Sequence, residues 1–318
     1  MERTLKALLD RLVQTGDPAE KLEEMGGGAF NSTFRVTLRS GRRCVLRVSP
    51  IHDHPMLLSN ERHLLRREQS LGPFPKEVAD LMPRTLAVDF TGEILPRDAV
   101  FSSFIEGENW DEVKGTMSQA QNDAVWGELG AALASIHRTK GEGFGWPAPE
   151  QCHKYWSDFI LCAAKGLLTD CRRLGVSEGD VERWIEAVEG GRTLLDEIRE
   201  ARLLHGDPWP KNVLIRRKGD AVRLVGLIDH ERGLWGDPMN EWVFHRLDFP
   251  PSFWEAYGPR PQGLAPEFRS LCYRGLIEIQ ILLEGVRCGR DMICVRQSLI
   301  QTLARMRVLL DQLGLARR

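Results

Sequence analysis

No run of apolar residues in this 318-residue chain approaches the roughly 20 that a membrane-crossing helix needs. The amino-terminal stretch MERTLKALLDRLVQTG lacks the unbroken apolar core and cleavage site of a secretory signal. A surplus of basic charge is missing too: 43 Lys and Arg against 45 Asp and Glu leave a formal charge of −2, which argues against a nucleic-acid partner. The seven cysteines are scattered, odd in number and without a CxxC pair, which excludes an obvious zinc site or disulfide framework and fits a reducing cytoplasm. Cys162 and Cys171 read as small buried residues of one helix. There is no internal repeat and no low-complexity tract. What these absences leave is a cytoplasmic globular protein, with 42% hydrophobic residues and length enough to bury a sizeable core.

Periodicity then gives an outline. The first helix carries Leu5, Leu8, Leu9 and Leu12 on one face. Short strand patterns follow at KLEEM, TFRVTL and RCVLRVS, with glycine-rich turns at Gly26–Gly27–Gly28 and Ser40–Gly41. A charged segment from about His54 to Leu71 reads as one long helix, and strands are expected at 85–90 and 98–105. Beyond Gly107 the pattern turns helical, near 119–139, 154–174, 178–199, 265–290 and 293–314, interrupted by a strand-rich island at 203–230. The outline is α+β and two-lobed: a small antiparallel β-rich amino-terminal lobe, a crossover near 104–107 and a larger helical lobe. A ligand would be expected in a cleft of such a plan.

The island holds the chemistry. In LLHGDPWPKNVLI (203–215), apolar pairs flank a polar loop stiffened by Pro208 and Pro210. Asp207 is a carboxylate able to take a proton from a hydroxyl, and the Asn212 amide oxygen is a hard donor suited to Mg²⁺. Downstream, RLVGLIDHERG ends a strand at Asp229, a second oxygen ligand. One base and two metal ligands on neighbouring strand ends make a phosphoryl-transfer centre. Each residue alone could equally be a turn former; their joint occurrence, in this order, favours function.

HGDPWPKN (205–212), IDHE (228–231) and GDPMNE (236–241) resemble the motifs of the aminoglycoside phosphotransferase and choline kinase family, small-molecule kinases with a protein-kinase-like fold. The resemblance implies that Asp207 is the catalytic base, that Asn212 and Asp229 hold Mg²⁺, and that His205 supports the loop. It also implies that Gly236–Asp237–Pro238 opens a helix, and that Glu241 stands in a capping position where the family more often has Asp. MGGGAFNSTFRV (25–36) resembles the family's nucleotide loop, with Ser32 and Thr33 as hydroxyl donors. Arg47, in CVLRVSP (44–50), stands where the family has a phosphate-binding Lys, and Glu61 in SNERHLL is the expected helix partner. An arginine retains charge and can grip phosphate through two nitrogens.

FSSFIEGENW (101–110) resembles the hinge, where the backbone around Ser103, Phe104 and Ile105 would meet a nucleobase. Residues 1–104 would then form the nucleotide-binding lobe and 105–318 the catalytic and substrate-binding lobe. The implied reaction is transfer from ATP or GTP, with Mg²⁺, to a hydroxyl of a small molecule. An antibiotic is the leading acceptor. An amino alcohol, sugar, nucleoside or homoserine-type metabolite is the second, and a non-catalytic nucleotide-binding module the third. HGD in place of HRD, with no APE-like segment after Asp229, argues against a protein kinase. Seven acidic residues against six arginines between 240 and 291 give no support to a highly cationic acceptor. Glu231 faces either substrate or metal, or caps a turn. Lys211 reads as a surface residue before a phosphate ligand. Trp235 and FWEAY (253–257) read as core before acceptor pocket.

Overall fold

The leucine face of the first helix finds its partner in a sheet. Helix α1 (Glu2–Leu12) buries Leu5, Leu8, Leu9 and Leu12 against Phe34, Val36, Leu38, Leu46, Val48 and Phe101, each such side chain contributing about 1.5–3 kcal/mol. The computed structural model describes residues 2–13, 16–26, 31–51, 54–147 and 152–315. Gly27 and Gly28, and with them the tip of the glycine-rich turn, lie outside the described residues. Strands β1 (Ala19–Met25), β2 (Ser32–Leu38), β3 (Arg43–Val48), β4 (Thr85–Asp89) and β5 (Ala99–Ser103) form an antiparallel sheet in the order β1-β2-β3-β5-β4.

Between β3 and β4 the expected long helix is broken. Ser59–Glu61 is a 3-10 turn, followed by His63 at φ 57° and then by α2 (Leu64–Ser70) and α3 (Lys76–Ala79). The left-handed residue ends any continuous helical ladder, so the leucine pattern over 54–71 belongs to a turn and a short helix.

After β6 (Glu108–Asn109), α4 (Trp110–Val113) and α5 (Gln119–Ile136) come the long helices α6 (Trp156–Leu174), α7 (Gly179–Gly190) and the short α8 (Arg192–Leu195). The predicted helix 178–199 is thus divided. A Cβ on Gly191 would lie 2.1 Å from the Phe268 ring, so the glycine that permits this close approach also breaks the helix. Then follow β7 (Arg202–Leu204), β8 (Val213–Lys218), β9 (Ala221–Leu227), β10 (Leu234–Gly236), α9 (Pro251–Tyr257), α10 (Leu264–Arg287) and α11 (Ile293–Gln312). The two strands that flank the polar loop join different sheets. β7 pairs with β10, whereas β8 lies between β6 and β9.

The chain divides into two compact units. One comprises Met1–Pro55, His63–Val125 and Pro208–Arg232; the other comprises Met56–Arg62, Trp126–Asp207 and Gly233–Arg318. The second is helical, and its core gathers Trp156, Trp184, Phe268 and Tyr273. Their polar atoms are satisfied: the Trp184 indole donates to the Cys272 carbonyl at 3.2 Å and the Trp156 indole to the Tyr273 hydroxyl at 2.7 Å. Cys171 is buried as expected, but Cys162 is exposed, because it falls on the solvent side of α6. Among the described residues no helix is long and apolar enough to cross a membrane.

Candidate active site

In the first unit, strand alternation decides what Arg47 meets. Cys44, Leu46 and Val48 point into the core, which turns Arg47 to the opposite face of β3. There its guanidinium grips Glu68 of α2 through two nitrogens, NH1 donating to Oε2 at 2.8 Å and NH2 to Oε1. NH1 also stands 3.6 Å from Glu231 Oε2 and 4.0 Å from Asp229 Oδ1. Thr33 pairs directly with Arg47 across β2 and β3, and Ser32 with Val48. Asn31, just before β2, donates its side-chain N–H to Glu231 Oε2 at 2.5 Å. His230 completes the cluster, its Nε2 3.7 Å from Glu68 Oε1 and its ring set edge-on to Phe74 at 5.0 Å.

Three carboxylates therefore share one guanidinium. Burial raises the pKa of Glu231, and the neighbouring Asp229 adds to it, pushing it up to about 8. Burial also raises that of Asp229, which Arg47 only partly offsets. Burial works against an ionised Glu68 as well, but Arg47 and His230 outweigh it and hold that carboxyl below its ordinary value. Glu231 is buried, its oxygen engaged by Asn31 and Arg47. Asp229 keeps 44% of its side chain exposed and sits at φ 64°, a left-handed conformation that Asp tolerates better than most residues.

Asn212 ends a 3-10 turn, Pro210–Asn212, whose first proline has the fixed φ such a turn uses. Its carbonyl accepts the Ile228 N–H at 2.9 Å, which ties this turn to the residue before Asp229. The Asn212 backbone thus lies beside the residue that precedes Asp229. The carboxylates of Glu68, Asp229 and Glu231, only partly compensated by Arg47, are oxygen donors of the kind a hard divalent cation takes, and the Asn212 amide would add to them. Lys211 is exposed, its ammonium 4.8 Å from the centroid of the Trp209 ring.

Ser103 closes β5. Its N–H donates to the Arg84 carbonyl at 2.9 Å and its hydroxyl accepts the Arg84 N–H at 2.9 Å. Phe104 lies under the Arg43 guanidinium at 4.9 Å. Ile105 packs so closely on β9 that a Cβ at Gly226 would meet its methyl at 2.9 Å.

Asp207 lies in the second unit. The loop His205–Gly206–Asp207 leaves β7 with its backbone amides pointing at one carboxylate: Glu241 accepts the His205 N–H at 2.7 Å through Oε1 and the Gly206 N–H at 3.0 Å through Oε2. Gly206 has φ 86°, which only glycine adopts without strain. The imidazole Nδ1 of His205 accepts the Asp207 N–H at 3.2 Å, so His205 supports the loop as expected. Glu241 has no exposed surface. Its Oε1 also meets His137 Nε2 at 3.2 Å, while His137 Nδ1 meets the Tyr257 hydroxyl at 2.8 Å. With an ionised Glu241 and a neutral imidazole, Nε2 would carry the proton and Nδ1 would accept from the tyrosine. Burial and the nearby Glu241 raise the Tyr257 pKa, which suits a hydroxyl that stays protonated and donates. The Asp207 carboxylate itself accepts the Trp242 indole N–H through Oδ1 at 2.5 Å.

Asp237 caps the turn Pro238–Asn240 through the Met239 N–H at 3.0 Å and accepts the Tyr273 hydroxyl at 2.7 Å. The GDP motif thus opens a three-residue 3-10 turn in place of an α-helix. Trp235 packs over Gly141, partly buried against the helical core, and Phe253 is fully buried beside Tyr257.

Glu61 is not the partner of Arg47. It lies in the second unit, where its Oε2 accepts the Leu58 N–H at 2.8 Å and is gripped by Arg287 of α10. The physical reason is the break at His63. Glu61 and Glu68 are seven residues apart and would share a face of one continuous helix, but only Glu68 stands on α2. Asn31, Glu68, His137 and Trp242 are site residues that sequence reasoning missed. The seven-residue spacing was the available signal for Glu68; the other three had none without the folded contacts.

A family model described as the phosphotransferase enzyme family (APH) matches residues 21–266. No curated protein sequence matches the chain. Among solved structures, the chain is similar to the aminoglycoside phosphotransferase APH(2")-IIa in a ternary complex with streptomycin and ATP, with 17% identity, 96% of this chain and 98% of that one covered, and a TM-score of 0.62. A candidate fructosamine-3-kinase from Thermobifida fusca YX-ER1 is similar at 17% identity over 95% and 98% of the two chains, with a TM-score of 0.63. A thermostable mutant of aminoglycoside phosphotransferase APH(4)-Ia, in ternary complex with AMP-PNP and hygromycin B, is similar at 18% identity over 97% and 98%, with a TM-score of 0.62. At these identities the likeness shows the fold, which is the α+β protein-kinase-like one. With a family match spanning most of its length, the chain belongs to the phosphotransferase enzyme family, as a kinase that acts on a hydroxyl of a small molecule.

Proposed function

We propose that the protein transfers the γ-phosphoryl group of ATP or GTP to a hydroxylated antibiotic of modest charge, working in the cytoplasm where the nucleotide is made. The observation that supports this most is the Asp207 loop, whose amides are held by a buried Glu241 and whose carboxylate accepts the Trp242 indole N–H. Asp207 would take the acceptor's proton as its oxygen bonds to phosphorus and the nucleoside diphosphate leaves. Arg47, fixed by Glu68, would face the nucleotide phosphates with Ser32 and Thr33. The backbone of Phe104 and Ile105 would meet the base, since Ser103 already spends its N–H on Arg84. Asn212 and Asp229 would hold Mg²⁺, which when bound neutralises phosphate charge. Glu231, engaged by Asn31 and Arg47, fits the phosphate end better than the acceptor.

The acceptor's modest charge has its own support. Of the acidic residues between 240 and 291, Glu241 holds the loop, Glu278 pairs with Arg274 and Glu267 pairs with Arg305. The other four, Asp248, Glu255, Glu284 and Asp291, stand in a stretch with six arginines, a balance that does not favour a polycation. Release of ADP in the presence of aminoglycosides, macrolides, hygromycin B, nucleosides, sugars and amino alcohols tests the proposal. Stimulation by an antibiotic supports it. Stimulation by a metabolite alone moves the function to metabolism, and nucleotide binding without stimulation by any acceptor contradicts catalysis.

A further inference from the structure

Two side chains compete for one oxygen of Glu231. The Asn31 side-chain N–H donates to Oε2 at 2.5 Å, and Arg47 NH1 stands 3.6 Å from the same atom, outside hydrogen-bond reach. Both terminal nitrogens of Arg47 donate to Glu68 instead. Asn31, Arg47, Glu68 and Glu231 all lie in the first unit. Glu231 is buried, where attraction to a guanidinium is strong, and without another donor its carboxylate would turn to Arg47. The Asn31 amide supplies that donor and adds no charge. A cation at position 31 would instead offset the carboxylates of Asp229 and Glu231. Asn31 stands two residues before Thr33, which pairs directly with Arg47 across β2 and β3, so the amide leaves from the start of the strand that flanks Arg47.

We infer that Asn31 is a positioning residue for the nucleotide: its amide holds Oε2 of Glu231 and keeps that carboxylate from displacing Glu68 on Arg47. The inference rests on the reading of Arg47 as the residue that faces the nucleotide phosphates. A guanidinium paired at two points with one carboxylate has a set direction. One shared between Glu68 and Glu231 would turn towards the second carboxylate and lose the direction that Glu68 gives it. Asn31 acts through Glu231 and Arg47, and the role requires no contact with the nucleotide.

The test is calorimetric titration of the full chain with magnesium AMP-PNP, which needs no acceptor. Asn31→Ala should weaken binding by at least about fivefold. In a Glu231→Gln background the same substitution should change affinity by less than about twofold, because a neutral side chain does not draw the guanidinium from Glu68. A tether that only stiffened the fold would still be lost there, since glutamine also accepts the bond. An Asn31→Ala protein within about twofold of the parent affinity overturns the inference, as does an equal loss in both backgrounds. Arg47→Met is the separate arm. If it binds as the parent does, the reading of Arg47 falls; if it binds weakly while Asn31→Ala does not, only the inference falls. Should Asn31→Ala not fold, side-chain amide ¹⁵N–¹H spectra of parent and Glu231→Gln decide the contact. An Asn31 resonance moving upfield in Glu231→Gln supports it, and an unchanged one overturns it.

Discussion

Glu241 accepts the backbone N–H groups of His205 and Gly206 with its two oxygens, at 2.7 and 3.0 Å, across more than thirty residues of chain. It does so with no exposed surface and with His137 on the same carboxylate at 3.2 Å. Glu241→Ala would leave these buried donors without an acceptor, at about 1–3 kcal/mol each. Thermal unfolding should show a loss of about 3 kcal/mol or more. Glu241→Asp, one methylene shorter, should fall between the parent and Glu241→Ala.

The pairing of Arg47 with Glu68 can be separated from that of Glu61 with Arg287. Removing one partner of a buried ion pair costs about 3–5 kcal/mol, so Glu68→Gln and Glu61→Gln should both lower the melting temperature. Only Glu68→Gln should also raise the KM for ATP. A raised KM in Glu61→Gln with none in Glu68→Gln would restore the pairing that the sequence suggests.

Arg47→Lys keeps the charge and loses the two-point grip on Glu68. The KM for ATP should rise by about fivefold, with kcat changing less. A lysine variant that binds nucleotide more tightly than the parent would show that the arginine is a compromise at this position.

His245 gives the protein a pH dependence of known sign. Its Nε2–H donates to the Met239 carbonyl at 2.8 Å, and burial lowers its pKa from 6.5 to about 4. Because the folded value is depressed, the unfolded chain binds the proton first as the pH falls. Stability is therefore complete above about pH 6.5 and is lost on going down towards pH 4. The loss from this group is about 2 kcal/mol, allowing for a ring that is partly exposed. In His245→Asn, urea unfolding should show a shallower fall in stability between pH 7 and pH 4.5.

Much of this was legible because it is local. The leucine face of α1, the alternation in β2 and β3, and the HGD and IDHE motifs each depend on residues a few positions apart. Asp207, Asn212 and Asp229 could be singled out because prolines and strand ends fix their surroundings. What stayed hidden depends on long-range packing. Glu61 and Glu68 are equivalent on an unbroken helix, and only the left-handed His63 separates them. The part played by Glu241 was read as a cap because its contacts lie more than thirty residues upstream. His137 and Trp242 carry no motif at all, and only the folded chain brings them to Glu241 and Asp207.

The most direct test of the central claim is the turnover of Asp207→Ala with the best acceptor of the panel, measured beside nucleotide binding by calorimetry. The account predicts a kcat lower by about 100-fold or more, with nucleotide affinity close to the parent's. Near-parent turnover in Asp207→Ala would contradict it.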